Sequence, residues 1–334
     1  MVEVVFPTEQ KELFIPSTFT IAEGENAGVY DVDSIAISKF SEKTKVEKLT
    51  IEKAADIEGF KGIRTIDTKS FQGCSNLSVI EFPSSLITIG NNAFNGTKIT
   101  ELRLESVESI GENAFQNCNS LKSIWLPKSL SSDKIGSKAF DGCNGIANIS
   151  LKISSPESIG SDVFSMSASQ ISTLFVPEED YGNYAIDVWK NKFCNRVQGE
   201  FLKEHVDPAK NYTYSLYDIP VVDSDTIKAA ILTKSPSGIT SVSIPASIEV
   251  TDDVNAAPIS FKVKEIGESA FKDRTGITKV ELPKTLTSIG DTAFGSWSAI
   301  REIVSDIEKD DLFEISDNVF HSDAKTHATV YVPS

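Results

Sequence analysis

Isoleucine and phenylalanine recur along the chain in a fixed frame. The phrase TIGNNAF at 88–94 returns as SIGENAF at 109–115, KIGSKAF at 134–140, SIGSDVF at 158–164, EIGESAF at 265–271 and SIGDTAF at 288–294. Weaker copies are SIAISKF at 34–40, TIDTKSF at 65–71 and EISDNVF at 314–320. In all nine the Ile stands five residues before the Phe. After a first step of 31 residues, successive Phe residues within each run stand 21–26 apart. A period of 20–30 residues is the mark of a stacked repeat architecture.

A second phrase lies between these blocks. It reads Leu77-x-x-Ile80-x-Phe82-Pro83, then Ile99-x-x-Leu102-x-Leu104, Leu121-x-x-Ile124-x-Leu126-Pro127, Ile146-x-x-Ile149-x-Leu151 and Ile171-x-x-Leu174-x-Val176-Pro177. The second run has Ile239-x-x-Val242-x-Ile244-Pro245 and Ile277-x-x-Val280-x-Leu282-Pro283. Apolar, polar, apolar is the period of a strand with one buried face. Pro then ends the strand, because it has no N–H for the ladder. Each repeat therefore predicts a short strand, a turn, a second short extended piece, a glycine such as Gly90 placed where positive φ costs little, and one helical turn whose Phe enters the core. A single repeat buries too little apolar surface to offset the entropy of ordering it, so neighbours must stack into a continuous core.

Cys74, Cys118 and Cys143 each stand three residues after a landmark Phe, a slot filled elsewhere by Thr97, Ser167 and Trp297. Stacked, buried free thiols are the economical reading. The alternative is a Cys118–Cys143 disulfide, since rungs about 5 Å apart would let those two meet. Cys74 is two rungs from Cys118, and Cys194 has no obvious partner. There is no CxxC pair, and His205, His321 and His327 are too few and too scattered for most metal or nucleophile sites.

The 334 residues carry 32 Lys+Arg against 48 Asp+Glu, a formal net charge of −16 with pI near 4.7. Nucleic-acid binding needs a basic face, so it is not expected. No apolar run is long enough to span a bilayer. The first thirty residues hold no basic-then-apolar signal, so a leader is expected to be absent or removed.

The composite pattern LxxIxLPxxLxxIGxxAFxxC resembles the BspA-like, or Treponema pallidum-type, leucine-rich repeats. The resemblance covers roughly residues 46–176 and 239–332. It implies a leucine-rich repeat solenoid, mostly short β-strands with one-turn helices or an irregular convex side, in two tandem arrays. Such arrays often close with strand-Pro, Tyr and Trp-Lys-x-Phe, here Leu174 to Pro177, Tyr181 or Tyr184, and Trp189 to Phe193. They often open with Ile-Pro and a later Val-x-x-Ile-Gly, here Ile244-Pro245 and Val263 to Gly267. A degenerate opener at Ile15-Pro16 leads to Ile35 followed by Ala36 in place of Gly. These marks divide the chain into a first array at 1–201, a linker at 202–215 and a second array at 216–334. The alternating stretch from Tyr212 to Lys234 reads as a capping hairpin. The second array stops where a closing segment would begin, so its C-terminal cap is expected to be missing.

No enzyme motif is present: no GxSxG, GxxxxGK[ST], GxGxxG after a strand, or HExxH. The acidic run Asp306, Glu308, Asp310, Asp311, Glu314 lacks calcium-loop spacing and reads as a solvated loop. No catalytic residue, cofactor or metal is expected. Four N-x-S/T sequons begin at Asn76, Asn95, Asn148 and Asn211. In solenoids, function usually lies on the strand-lined face. The polar slot of each strand points outward there and reads Glu81, Arg103, Trp125, Ser150, Phe175. Glu81, Arg103, Trp125 and Phe175 are the candidate ligand face, with exposed aromatics beside an Arg typical of recognition. The competing reading packs Trp125 and Phe175 against a loop or the second array. Glu281 and Val304 fill the same slot in the second array and make no matching patch.

The resemblance implies a non-catalytic, secreted or cell-surface adhesion module that binds a host or matrix protein or a glycan. The alternatives are a structural spacer in a longer surface protein, a hydrolase or lyase on a β-solenoid, and an intracellular scaffold.

Overall fold

The computed structural model describes residues 10–21, 28–36, 40–53, 61–153, 159–160, 162–164, 173–176, 195–221, 224–251, 257–295, 297–307, 314–315, 318–320 and 328–332. The chain forms two compact units, Met1–Leu174 with Glu179–Lys192, and Phe175–Glu178 with Phe193–Ser334. The proposed closing residues Tyr181, Tyr184 and Trp189 to Phe193 lie outside the described residues, as do Cys194, His321 and His327.

In the first unit the LxxIxL phrases form parallel strands. Glu12–Ile15, Lys48–Ile51 and Val79–Glu81 pair in one sheet. Glu101–Arg103, Ser123–Leu126 and Asn148–Leu151 pair in the next. A second wall is built from the residues ahead of each glycine. Ser34–Ile35, Thr65–Ile66, Thr88–Ile89 and Ser109–Ile110 pair in register, so Ile35, Ile66, Ile89 and Ile110 stack and are buried.

The landmark phenylalanines form one column. Ring centroids from Phe40 through Phe71, Phe94, Phe115 and Phe140 to Phe164 are 5.1, 5.3, 5.3, 5.4 and 5.0 Å apart, with planes within 9° of parallel. Main-chain bonds knit the same rungs. The N–H groups of Phe71, Phe94 and Phe115 each donate to the carbonyl of the Ala one rung on, at 2.8 Å. The expected solenoid of stacked Ile-to-Phe blocks is therefore what forms.

Two local expectations are corrected. The residues before Phe71, Phe94, Phe115, Phe140, Phe271 and Phe294 make no helical turn; among the described residues the only helix is the 3-10 turn Ser132–Lys134. Asn92, Asn113 and Lys138 have φ of 56°, 55° and 55°, which breaks any right-handed run. Successive four-residue hydrogen-bonded turns take its place, such as Ala93 N–H to Gly90 O and Thr97 N–H to Phe94 O. The glycine before them is not there for positive φ. A Cβ on Gly111 would stand 2.5 Å from the Asn91 backbone nitrogen, and one on Gly90 2.6 Å from that of Thr68. Close approach of successive rungs excludes the methyl. Ala36 is tolerated because it is exposed just past the edge strand of this wall, Ser34–Ile35.

Cys74, Cys118 and Cys143 are free and buried. Each thiol donates to the carbonyl of a Phe one rung back: Cys74 to Phe40 at 3.0 Å, Cys118 to Phe94 at 3.2 Å, Cys143 to Phe115 at 3.0 Å. Burial pushes the Cys74 thiol up to about 11. The neighbouring Cys118 thiol, together with burial, also raises Cys143.

The second unit opens on antiparallel strands. Glu200–Val206, Thr213–Val221 and Ser224–Lys234 pair in sequence order. Residues 202–215, read as a linker for their polarity and Pro208, thus supply most of one strand and the start of the next. Their hidden signal is alternation: Tyr212, Tyr214 and Leu216 are buried on one side. Ser224–Lys234 then pairs in parallel with Ile259–Ile266, which is followed by Ser288–Ile289 and Glu314–Ile315. The other wall is Ser241–Ser243, Lys279–Leu282, Glu302–Ser305 and Thr329–Tyr331, all parallel. Phe271, Phe294 and Phe320 form a column of their own at 5.2 and 5.1 Å, and buried Trp297 fills the cysteine slot 4.3 Å from Phe294.

Candidate ligand-binding face

Side chains alternate across a strand, so parallel in-register strands present rows. In the first unit one outward row is Glu12, Lys48, Val79, and the next is Phe14, Thr50, Glu81. On the neighbouring sheet the matching rows are Glu101, Ser123, Asn148 and Arg103, Trp125, Ser150.

Glu81 and Arg103 stand on the open part of this face, with side chains 65% and 51% exposed. Their charges are locally balanced. Glu81 lies 3.7 Å from the Lys48 ammonium, and Arg103 3.7 Å from Glu101. Lys11 and Glu47 pair at 2.9 Å just ahead of the same strands.

The two aromatics are not open. Trp125 is only 9% exposed, with the Arg103 guanidinium 3.5 Å from its ring centroid. Arg103 therefore covers the indole face through a cation–π contact. Phe175 is fully buried in the second unit, stacked on Phe201 at 5.0 Å and near Tyr217 at 5.6 Å. It has no free face for a ligand. Ser150 is also buried, with Ser123, Asn148 and Thr173.

Sequence reasoning missed Phe14. This residue is 54% exposed on the first strand, and Val79 is 48% exposed two strands away. The signal was the alternation in Glu12-Leu13-Phe14-Ile15, where Leu13 and Ile15 are buried and Phe14 is not.

The second unit carries rows Ser241, Lys279, Glu302, Thr329 and Ser243, Glu281, Val304, Tyr331. Lys279 bridges Glu281 and Glu302, at 3.2 Å each. Those bonds raise the Lys279 ammonium, and Lys279 with Ser243 lowers Glu281. Tyr331 is 54% exposed on the terminal strand.

The Ile/Phe rungs thus stack with a strand wall on one side and turns on another. The family model of the BspA type leucine rich repeat region matches residues 33–171 and 250–331, in six copies. The chain belongs to the BspA-type leucine-rich repeat family. This BspA-type chain is similar to the solved leucine-rich repeat protein of T. pallidum, with 21% identity over 55% of this chain and 81% of that one, TM-score 0.35. It is also similar to a leucine-rich cell surface protein of Faecalibacterium prausnitzii A2-165, with 17% identity over 95% and 80%, TM-score 0.36. The pneumococcal vaccine antigen PcpA gives 16% identity over 98% and 79%, TM-score 0.32. Comparison with curated proteins finds no match. Among the described residues of this BspA-type chain, no group of three or more His, Cys, Asp or Glu is arranged to hold a metal. No helix there is long and apolar enough to cross a membrane.

Proposed function

We propose that this chain is a non-catalytic, secreted or cell-surface binding module that engages a protein or a glycan through the strand-lined face of its first unit. The observation that carries this reading is the in-register row of outward side chains Phe14, Thr50 and Glu81, with Arg103 exposed on the neighbouring sheet. A preformed, rigid array loses little binding free energy to ordering. Glu81 and Arg103 are the polar anchors. Trp125 is a support beneath Arg103 rather than a contact, and Phe175 belongs to the core.

The test is a matrix-protein and glycan array, repeated with the charge reversals Glu81→Lys and Arg103→Glu. A ligand held at micromolar strength or better, lost by at least about tenfold in either variant with the melting temperature unchanged, is expected. No ligand at that strength, or reversals without effect, overturns the proposal. The burial of Trp125 and Phe175 favours one second reading, a structural spacer with recognition elsewhere, and that reading predicts an empty array.

A further inference from the structure

Cysteine fills the same slot in two successive rungs, and the backbones there run close together. The Asn117 N–H, just ahead of Cys118, donates to Asp141 O, two residues ahead of Cys143, at 2.8 Å. A methyl on Gly142 would stand 3.4 Å from Asn117 Cα. Phe115 and Phe140, each three residues before its cysteine, have ring centroids 5.4 Å apart. A disulfide needs Cα atoms roughly 4.4–6.8 Å apart, so a single rung step is a span it can bridge.

The side chains converge as well. Phe115 O accepts both the Cys118 N–H, at 3.2 Å, and the Cys143 thiol, at 3.0 Å. Cys143 Sγ therefore sits beside the Cys118 main chain. The slot one rung back shows how near its side-chain atoms come, because Thr97 Oγ1 and Cys118 Sγ are 3.2 Å apart. Thr97 also separates Cys118 from Cys74, which stands two steps away and beyond reach.

Joining the two sulfurs strands no acceptor. Phe94 O loses the Cys118 thiol but keeps the Thr97 N–H at 3.2 Å, and Phe115 O keeps the Cys118 N–H. The neighbouring Cys143 thiol holds Cys118 below the ordinary thiol value, while Cys118 and burial raise Cys143. Cys118 is thus the sulfur that ionises first and attacks.

We infer that Cys118 and Cys143 are an oxidative modification site, a clamp that ties the rung of Phe115 to the rung of Phe140 when the chain folds beside a disulfide oxidant. The Cys118 thiolate attacks a small disulfide such as glutathione disulfide, forming a mixed disulfide and releasing one small thiol. Cys143 gives up its proton, attacks the Cys118 sulfur and expels the second small thiol. Two protein thiols are oxidised to one disulfide, and one small disulfide is reduced to two thiols. The structure holds the pair in its reduced form, with both sulfurs buried. The exchange accordingly takes place while the two rungs dock, and the finished bond is shielded from reductants. Such an oxidant is met outside the cell and not in a reducing cytosol, so export closes the clamp. The clamp does not depend on the strand-face reading.

The test refolds the reduced, denatured chain in glutathione buffer, once with the disulfide form present and once with the thiol form alone. Acid quenching, alkylation and peptide mapping follow. The oxidised sample is expected to yield peptides joined through Cys118 and Cys143, an intact mass lower by two hydrogens, and a melting temperature above that of the reduced sample. Cys118→Ala and Cys143→Ala each erase that difference, whereas Cys74→Ala combined with Cys194→Ala keeps it. Each variant is compared with itself in the two buffers, so a general loss of stability leaves the readout intact. Alkylation of all four cysteines in the oxidising buffer overturns the clamp. So does a joined pair that includes Cys74 or Cys194, or a joined chain that melts no higher than the reduced one.

Discussion

Phe94 and Phe115 lie face to face, with ring centroids 5.3 Å apart and planes 6° from parallel. Neither ring is exposed, and each also stacks on a further Phe, Phe71 on one side and Phe140 on the other. An inner member of such a column is held from both sides. Phe115→Ala should therefore cost about 3–5 kcal/mol of unfolding free energy. Phe40 stands at the end of the described column, stacked on Phe71, and is less completely buried, so Phe40→Ala should cost less. Denaturant unfolding of the two variants measures the difference.

Glycine plays two separate roles in the repeat, and substitution separates them. Gly111 has no room for a Cβ, 2.5 Å from the Asn91 nitrogen. Gly111→Ala should destabilise by about 1–3 kcal/mol through overpacking of successive rungs. Gly96 has φ of +76° and nothing within 4 Å of the place a methyl would take. Gly96→Ala should cost roughly 1–2 kcal/mol of left-handed strain, while Gly96→Asn should be nearly neutral, because Asn117 fills the same slot one rung on with φ of 61°. Melting temperatures of the three variants check this.

The buried Cys74 thiol makes stability fall in alkali. Cys74 is pushed from an ordinary value of 9.0 up to about 11 by burial. The folded chain therefore holds this proton more tightly than the unfolded chain does. Its contribution is intact below pH 9 and is lost as pH rises from 9 toward 11, by up to about 1.4 kcal/mol per pH unit. Cys74→Ala should flatten that limb of the stability–pH curve, whatever it does to stability at neutral pH. In mild alkali an aromatic disulfide reagent should leave Cys74, Cys118 and Cys143 untouched in the native state and label them on unfolding.

Arg103 shields Trp125, with the guanidinium 3.5 Å from the indole centroid. Arg103→Ala should open the ring to water, red-shifting the emission and raising acrylamide quenching. Trp125→Ala should instead lower the melting temperature, because it removes a nearly buried indole. An unchanged melting temperature for Trp125→Ala would show the ring to be a surface group.

The column of rungs was legible because Ile and Phe keep a fixed spacing, and buried positions tolerate few alternatives. The strand phrases were legible for the same reason. What the pattern could not carry was backbone detail: Asn92 and Lys138 in left-handed turns look like any polar residues, and a glycine required by close approach reads the same as one chosen for positive φ. The face was half legible. Glu81 and Arg103 are exposed where alternation puts them, but alternation gives direction only, and says nothing about what lies above. Phe175 points outward from its strand and is buried all the same, against Phe201 and Tyr217. Phe201 and Tyr217 flank the stretch whose polarity read as a linker. Phe14 went unnoticed because its repeat departs from the common phrase.

Amide hydrogen exchange tests the stack most directly, since every rung is tied to the next by named main-chain bonds. Phe71, Phe94 and Phe115 donate to Ala93, Ala114 and Ala139 at 2.8 Å, while Gly90 and Gly111 donate to Ile66 and Ile89 at 2.7 Å. A continuous solenoid predicts that these amides exchange slowly and as a group, at rates approaching those of global unfolding. Exchange of the Phe94 and Gly111 amides at the rate of an unstructured peptide would contradict the stack, and with it the strand face that depends on it.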